Sequence, residues 1–334
     1  MPLRRATLIR RPAVLLLTGG MVVALAGCAR PATDSGATTP SGSVPASGST
    51  ASPGTGSSPT SGPGAPGTSG PTVSAQATVD RTAIPPAGPA WRASPGSRAV
   101  QTATLPGGTV SLMWMDPSRL RFRVVPGYAV PEGSPATKAD TRPSTWVPTM
   151  LAGFDSGYKL SDHVGGYYYL GRTVAPLRTG LASLVTHADG SLTVGVWGGD
   201  VRMNPDTVMV RQNLRPLVSD GVARAKATDG PRVWGIANGN RARVNRSALG
   251  RLPDGSLVFV YAHDATAADL AGTLVRLGVV EAVDLDMNVS WPTGFVYSHV
   301  GGRTTGTKIN PHVVRPPSTY LSRFKKDFVV VSAR

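Results

Sequence analysis

The chain has 334 residues, 40% of them hydrophobic, and a formal net charge of +15. Its single cysteine, Cys28, excludes intramolecular disulfides and cysteine-based zinc sites. Six of the 34 basic and two of the 19 acidic residues precede Trp91, leaving +11 on the remainder. That excess has no run of five basic residues and no basic stripe with interleaved aromatics. It therefore argues against a nucleic-acid partner and suits phosphorylated glycans or anionic lipids.

Taken in chain order, Arg4, Arg5, Arg10 and Arg11 form a basic start, and Ala13 to Ala26 an apolar stretch of signal-peptide length. It closes in Leu25-Ala26-Gly27-Cys28, the form of a bacterial lipobox, whose chemistry needs one thiol for acylation. Residues 1–28 are thus expected to be a lipoprotein signal peptide. Cys28 would be lipidated and the protein held outside the cytoplasm on the cell membrane. A diacylglycerol supplies the two chains that stable anchoring requires. Residues 29–89, rich in Ser, Gly, Pro and Thr, are expected to be a disordered linker, a coil of ~60 residues spanning roughly 40–45 Å. Residues 90–334 are left to fold, and no apolar stretch in them approaches the roughly 20 residues of a membrane span.

Within that domain Val110–Met115 and Leu120–Val125 read as strands about the turn Asp116-Pro117-Ser118. Leu181–His187 and Leu192–Trp197 flank Asp189-Gly190, a hairpin signal. Leu249–Leu252 and Leu257–Tyr261 flank Pro253-Asp254-Gly255 in the same way. Thr266 to Leu277 has helical apolar spacing, a capping Thr266 with Asp269 three residues on, and Gly278 to stop it. Val279–Leu285 and Phe328–Ser332 read as further strands. The expectation is an α/β (α+β) domain: one mixed, largely antiparallel sheet with packed helices.

No Gly-x-Ser-x-Gly elbow, phosphate loop, His-Glu-x-x-His or dinucleotide fingerprint occurs. His163, His187, His263, His299 and His312 show no i, i+4 pairing. Beyond Trp91 there are fifteen aspartates against Glu132 and Glu281, so carboxylate chemistry would fall to Asp.

Four segments carry a resemblance. They are Phe154-Asp155-Ser156-Gly157-Tyr158-Lys159 with Gly165-Gly166-Tyr167 and Gly171-Arg172; Arg211-Gln212-Asn213-Leu214-Arg215-Pro216-Leu217; Asn245-Arg246-Ser247-Ala248-Leu249-Gly250; and Leu270–Gly278 leading to Asp284-Leu285-Asp286-Met287-Asn288 and Trp291. With the ending Arg315-Pro316-Pro317 and Asp327-Phe328, this order resembles the phosphodiester glycosidase family, in its actinobacterial branch, from roughly Thr145 to Arg334. An Arg-Ser/Thr-Ala-x-Gly motif is intact at Arg246 to Gly250. The family's Asn-Gly-Gly-Phe stands here as Asp155-Ser156-Gly157-Tyr158, and its Leu-Asp-Gly-Gly-Gly-Ser as Leu285-Asp286-Met287-Asn288-Val289-Ser290.

Together with the lipobox, the resemblance implies an anchored envelope hydrolase that cleaves sugar-1-phosphodiester or other acidic glycan linkages. Such cleavage needs an anion near the anomeric carbon and cations near the phosphate. Asp286 and Asp155 are the candidate carboxylates. Arg246 and Arg211 are the candidate anion binders, since a guanidinium fork takes two oxygens at once. Asn213, Lys159 and Asn288 are candidate substrate hydrogen-bonders, and Trp291 a candidate sugar platform. Period-two alternation would place Asp284 and Asp286 on one face, where the pair could hold a divalent cation such as calcium or raise one carboxyl's pKa. The alternative is a non-catalytic lipoprotein that binds glycan or organises the wall on the same fold.

Overall fold

The computed structural model describes residues 83–129, 133–236 and 239–334. The signal peptide, the lipobox with Cys28 and nearly all of the expected linker lie outside the described residues, as does Glu132. No described helix is long and apolar enough to cross a membrane.

The first strands are β1 (Arg92–Ser94), β2 (Ser97–Thr104), β3 (Val110–Met115), β4 (Leu120–Val125) and β5 (Met150–Asp155). They are followed by β6 (Tyr167–Tyr169), β7 (Arg172–Ala175), β8 (Ala182–His187), β9 (Leu192–Val196) and β10 (Thr207–Gln212). Next come β11 (Val218–Ser219), β12 (Val222–Ala223), β13 (Val244–Arg251), β14 (Leu257–Ala265), the helix α1 (Ala267–Arg276) and β15 (Glu281–Met287). The last three are β16 (Gly294–Val300), β17 (Arg303–Lys308) and β18 (Phe328–Ala333).

These strands form three sheets. An eight-stranded sheet runs β1-β2-β3-β14-β13-β15-β11-β12, and two five-stranded sheets run β7-β6-β10-β8-β9 and β17-β16-β5-β18-β4. Every pairing between these strands is antiparallel. The expected single mixed sheet with packed helices is thus corrected: there are three sheets, and among the described residues α1 is the one α-helix. Short turns account for the antiparallel direction where consecutive strands pair, as in β8–β9, β13–β14 and β16–β17.

The alternation of β3 shows where the cores lie. Leu112 and Trp114 face α1 in a cluster with Val258, Val260, Leu270 and Leu274. Met113 and Met115 face the other way, into a cluster that gathers Phe259, Leu285, Phe154, Val329 and Leu184 from all three sheets. The eight-stranded sheet is therefore covered by the helix on one face and by both smaller sheets on the other.

Local signals place several elements. Thr266 and Asp269 close a reciprocal capping box, and Gly278 takes φ +80° to end α1. The amides of Gly278 and Val279 are spent on that helix end, which delays β15 to Glu281. Asp189-Gly190 and Asp254-Gly255 close the β8–β9 and β13–β14 hairpins, each glycine at positive φ. The Asp116 turn closes no hairpin. Its side chain accepts from the Ser118 amide at 3.0 Å, and the chain passes from the eight-stranded sheet into β4, which pairs with β18.

Candidate active site

β5, β13 and β15 bring together polar segments that lie far apart in the sequence. β5 ends at Asp155, and β13 presents Ser247 toward it: the Ser247 hydroxyl donates to Asp155 Oδ2 at 2.6 Å. The Thr293 amide donates to Asp155 Oδ1 at 2.8 Å. On β15, Asp286 accepts from the Met287 amide at 2.7 Å and forms a buried ion pair with Lys326. Burial, and then the Asp286 charge, push the Asp155 carboxyl up to about 7. Burial also raises Asp286, against the pull of Lys326. The Asp286 charge is thus one of the causes that raise Asp155, while Lys326 pulls both carboxyls the other way.

The expected common face for Asp284 and Asp286 is corrected by the β13–β15 register. A bulge between Ser247 and Ala248 sets Ser247 opposite Asp286 and Ala248 opposite Asp284. Ala248 belongs to the helix-side cluster, whereas Ser247 reaches Asp155 on the other side. The bulge thus puts the two aspartates on opposite faces, each with its own cation. Arg246 Nη1 donates to Asp284 Oδ2 and to the Trp234 carbonyl, both at 3.1 Å. The Tyr158 hydroxyl lies 3.2 Å from Asp284 Oδ2, and Asp284 Oδ1 has no hydrogen-bond partner among the described residues. Burial raises the Asp284 carboxyl to about 7 despite Arg246. This arrangement does not fit a divalent cation: the two carboxylates diverge, and no cluster of three or more His, Cys, Asp or Glu suited to a metal occurs among the described residues.

Arg211 and Arg246 were both expected to hold a substrate anion, and the protein supplies that anion itself. Arg211 is fully buried; its Nε donates to Asp327 Oδ2 at 2.7 Å, and its other nitrogens donate to the carbonyls of Gln212 and Tyr158. Asp327 also accepts from Ser156 Oγ at 2.7 Å. Arg211 and these hydrogen bonds outweigh burial and hold the Asp327 carboxyl below its ordinary range. Asn213, expected to meet substrate, instead clamps the loop after β5. Its Oδ1 accepts from the Tyr158 amide and its Nδ2 donates to the Ser156 carbonyl, each at 3.2 Å. A Cβ on Gly157 would collide with that carboxamide, so the glycine permits the clamp.

The remaining candidates reach a cavity. A hollow of about 440 Å³ is lined by Asp286, Asn288, Trp291, Lys159, Asp162 and Arg232, among others. Of the buried carboxylates Asp155, Asp284, Asp286 and Asp327, Asp286 is the one in that lining. Trp291 is surrounded by cations, with Arg315 4.3 Å, Lys326 4.8 Å, Lys325 5.0 Å and Lys159 5.6 Å from the indole centroid. Arg315 therefore occupies ring surface on which a sugar was expected to stack.

Sequence reasoning missed Ser247, Lys326 and Asp327 as members of this network. Ser247 lay inside the quoted Arg-Ser-Ala motif. For Lys326 and Asp327 a signal existed: two opposite charges directly before the apolar strand Phe328–Val331, where burial forces charges to find partners.

No family model matches the sequence, and neither does any curated protein. Several solved structures are similar in part, among them the following two. The zebrafish N-acetylglucosamine-1-phosphodiester alpha-N-acetylglucosaminidase catalytic domain, auto-inhibited by its pro-peptide, is 17% identical, covers 72% of this chain and 86% of its own, and has a TM-score of 0.41. A hypothetical protein from Synechocystis is 13% identical, with 70% of this chain and 62% of its own covered and a TM-score of 0.38.

Proposed function

We propose that this chain is a hydrolase of the phosphodiester glycosidase type, anchored through Cys28 outside the cytoplasm and acting on sugar-phosphodiester linkages of envelope glycans. The motifs of the sequence support the family reading. The observation that carries the chemistry is Asp286 at the wall of a cavity lined by Lys159 and Arg232, with the buried Asp155, raised to about 7, as a neighbouring carboxyl.

In this reading water displaces the phosphate oxygen at the anomeric carbon of a sugar-1-phosphodiester and passes a proton to Asp286 as it bonds. The C1–O bond breaks, its electrons stay on the phosphate oxygen, and a free sugar and a phosphomonoester leave. The Asp286 carboxylate supports the oxocarbenium charge that develops on the way. Asp155 and Ser247 do not touch substrate; they position Asp286 and tune its protonation. Lys159, Lys325 and Arg315 supply countercharge to the phosphate, while Arg211 and Arg246 brace the walls.

The test is release of reducing sugar from a panel of sugar-1-phosphate methyl diesters. The wild-type chain should turn over at least one, and Asp286→Asn should lose about 10²–10⁴-fold in kcat. A folded Asp286→Asn protein with full activity would remove Asp286 from the chemistry. The rival reading, a glycan-binding or wall-organising lipoprotein, draws on the internal pairing of both Arg211 and Arg246. It predicts saturable retention on cell-wall glycan with no new reducing ends. The anchor is checked separately: Cys28→Ser should abolish lipid labelling and release the protein from the membrane fraction.

A further inference from the structure

Beside the cavity that holds Asp286 lies a second one of about 520 Å³, within the range of small-molecule sites. The two have different characters. The first is lined by Asp162, Arg232, Asp286 and Asn288; the second, whose wall is mostly apolar, has Leu160, Val174 and Ala175 together with the charged Lys325, Lys326 and Asp327. Lys159 lines both, and the Lys326–Asp286 pair spans the partition, with Lys326 on the apolar side and Asp286 on the polar side.

The saddle between them is where Trp291 gathers Lys159, Lys325, Lys326 and Arg315. Among the described residues only Lys326 of the four forms an ion pair with a carboxylate; Arg315 Nε donates to the Ser290 carbonyl. Like charges packed about one ring repel, and a bound anion would relieve that repulsion. An anion on the saddle would have a polar chamber on one side and an apolar chamber on the other.

We propose that the ligand of this site is an amphipathic phosphodiester, with its sugar in the polar chamber, its phosphate on the Trp291 saddle and an alkyl or isoprenyl aglycone against Leu160, Val174 and Ala175. The substrate class rests on the hydrolase reading above; the saddle and the apolar chamber as a binding site do not. A lipid-linked sugar phosphate is the chemistry that matches polar, anionic and apolar parts in that order.

Calorimetric titration of the full-length chain with geranyl phosphate, methyl phosphate and geraniol tests this without any turnover. Geranyl phosphate should bind at least about tenfold more tightly than methyl phosphate, a margin that burial of two methylenes already supplies. Geraniol should bind weakly or not at all. Leu160→Gln should narrow the geranyl-to-methyl ratio, and Lys325→Ala should weaken both phosphates together; using a ratio makes the first result independent of the folded fraction. Equal affinities for the two phosphates, geraniol binding as well as its phosphate, or no binding of either phosphate would each overturn the proposal. If geranyl phosphate binds as expected but no sugar-1-phosphodiester is cleaved, the hydrolase reading fails and the site stands.

Discussion

Asp155 illustrates how one buried carboxyl couples protonation to stability. Its ordinary value is 3.8 and the fold raises it to about 7, so between roughly pH 4 and 7 the folded chain binds a proton that the unfolded chain has lost. That contribution is complete below about pH 4 and is lost as pH rises through 7, at up to about 1.4 kcal/mol per pH unit. Asp155→Asn keeps an acceptor for the Thr293 amide and a partner for Ser247. The variant should therefore show a flatter fall in unfolding free energy from pH 4 to 7 and exceed the wild type above pH 8, as read by guanidinium titrations across pH. A slope equal to that of the wild type would locate the titration elsewhere. Asp327 has the opposite sign. Arg211 and Ser156 lower its carboxyl, so its contribution is present above about pH 4 and disappears as acid protonates it.

At the scale of elements, the loop from Ser156 to Tyr158 is held by two side chains of the β10 end, Arg211 and Asn213, rather than by its own propensity. Arg211→Met leaves Asp327 buried without its guanidinium and should cost about 3–5 kcal/mol in denaturant unfolding. The double variant Arg211→Met/Asp327→Asn should recover part of that loss, because it removes the orphaned charge. A cost below 1 kcal/mol would mean the pair is dispensable. Helix α1 depends on nearer neighbours. Thr266→Ala removes one half of the capping box and should cost about 1 kcal/mol. That box was legible in the spacing of Thr266 and Asp269, as were the two Asp-Gly hairpins. The β13–β15 bulge was not, since it depends on how a strand meets its partner, and it reversed the expected relation of Asp284 to Asp286.

At the scale of the molecule, the last strand is structurally central. β18 lies between β5 and β4, pairing Phe328 with Asp155 on one side and with Val125 on the other. Deleting residues 328–334 should leave Asp155 on an unpaired edge and abolish the near-UV circular dichroism of the folded state; a truncated chain with native signal would show that the sheet closes without β18. Much of the pairing is equally distant in sequence, as between β3 and β14 or β4 and β18, so refolding should take seconds rather than milliseconds.

Period-two alternation, the Asp-Gly turns and the capped helix were legible in the sequence, because each depends on atoms a few residues apart. Strand identity followed wherever those signals were strong, as at Val110–Met115 and Leu120–Val125. Which strands became neighbours, and which cation each aspartate met, was decided only in three dimensions. Ser247 reaches Asp155 from 92 positions away and Lys326 reaches Asp286 from 40. The charge state of a buried carboxyl is set by whatever surrounds it in space, and in this chain those surroundings come from three sheets.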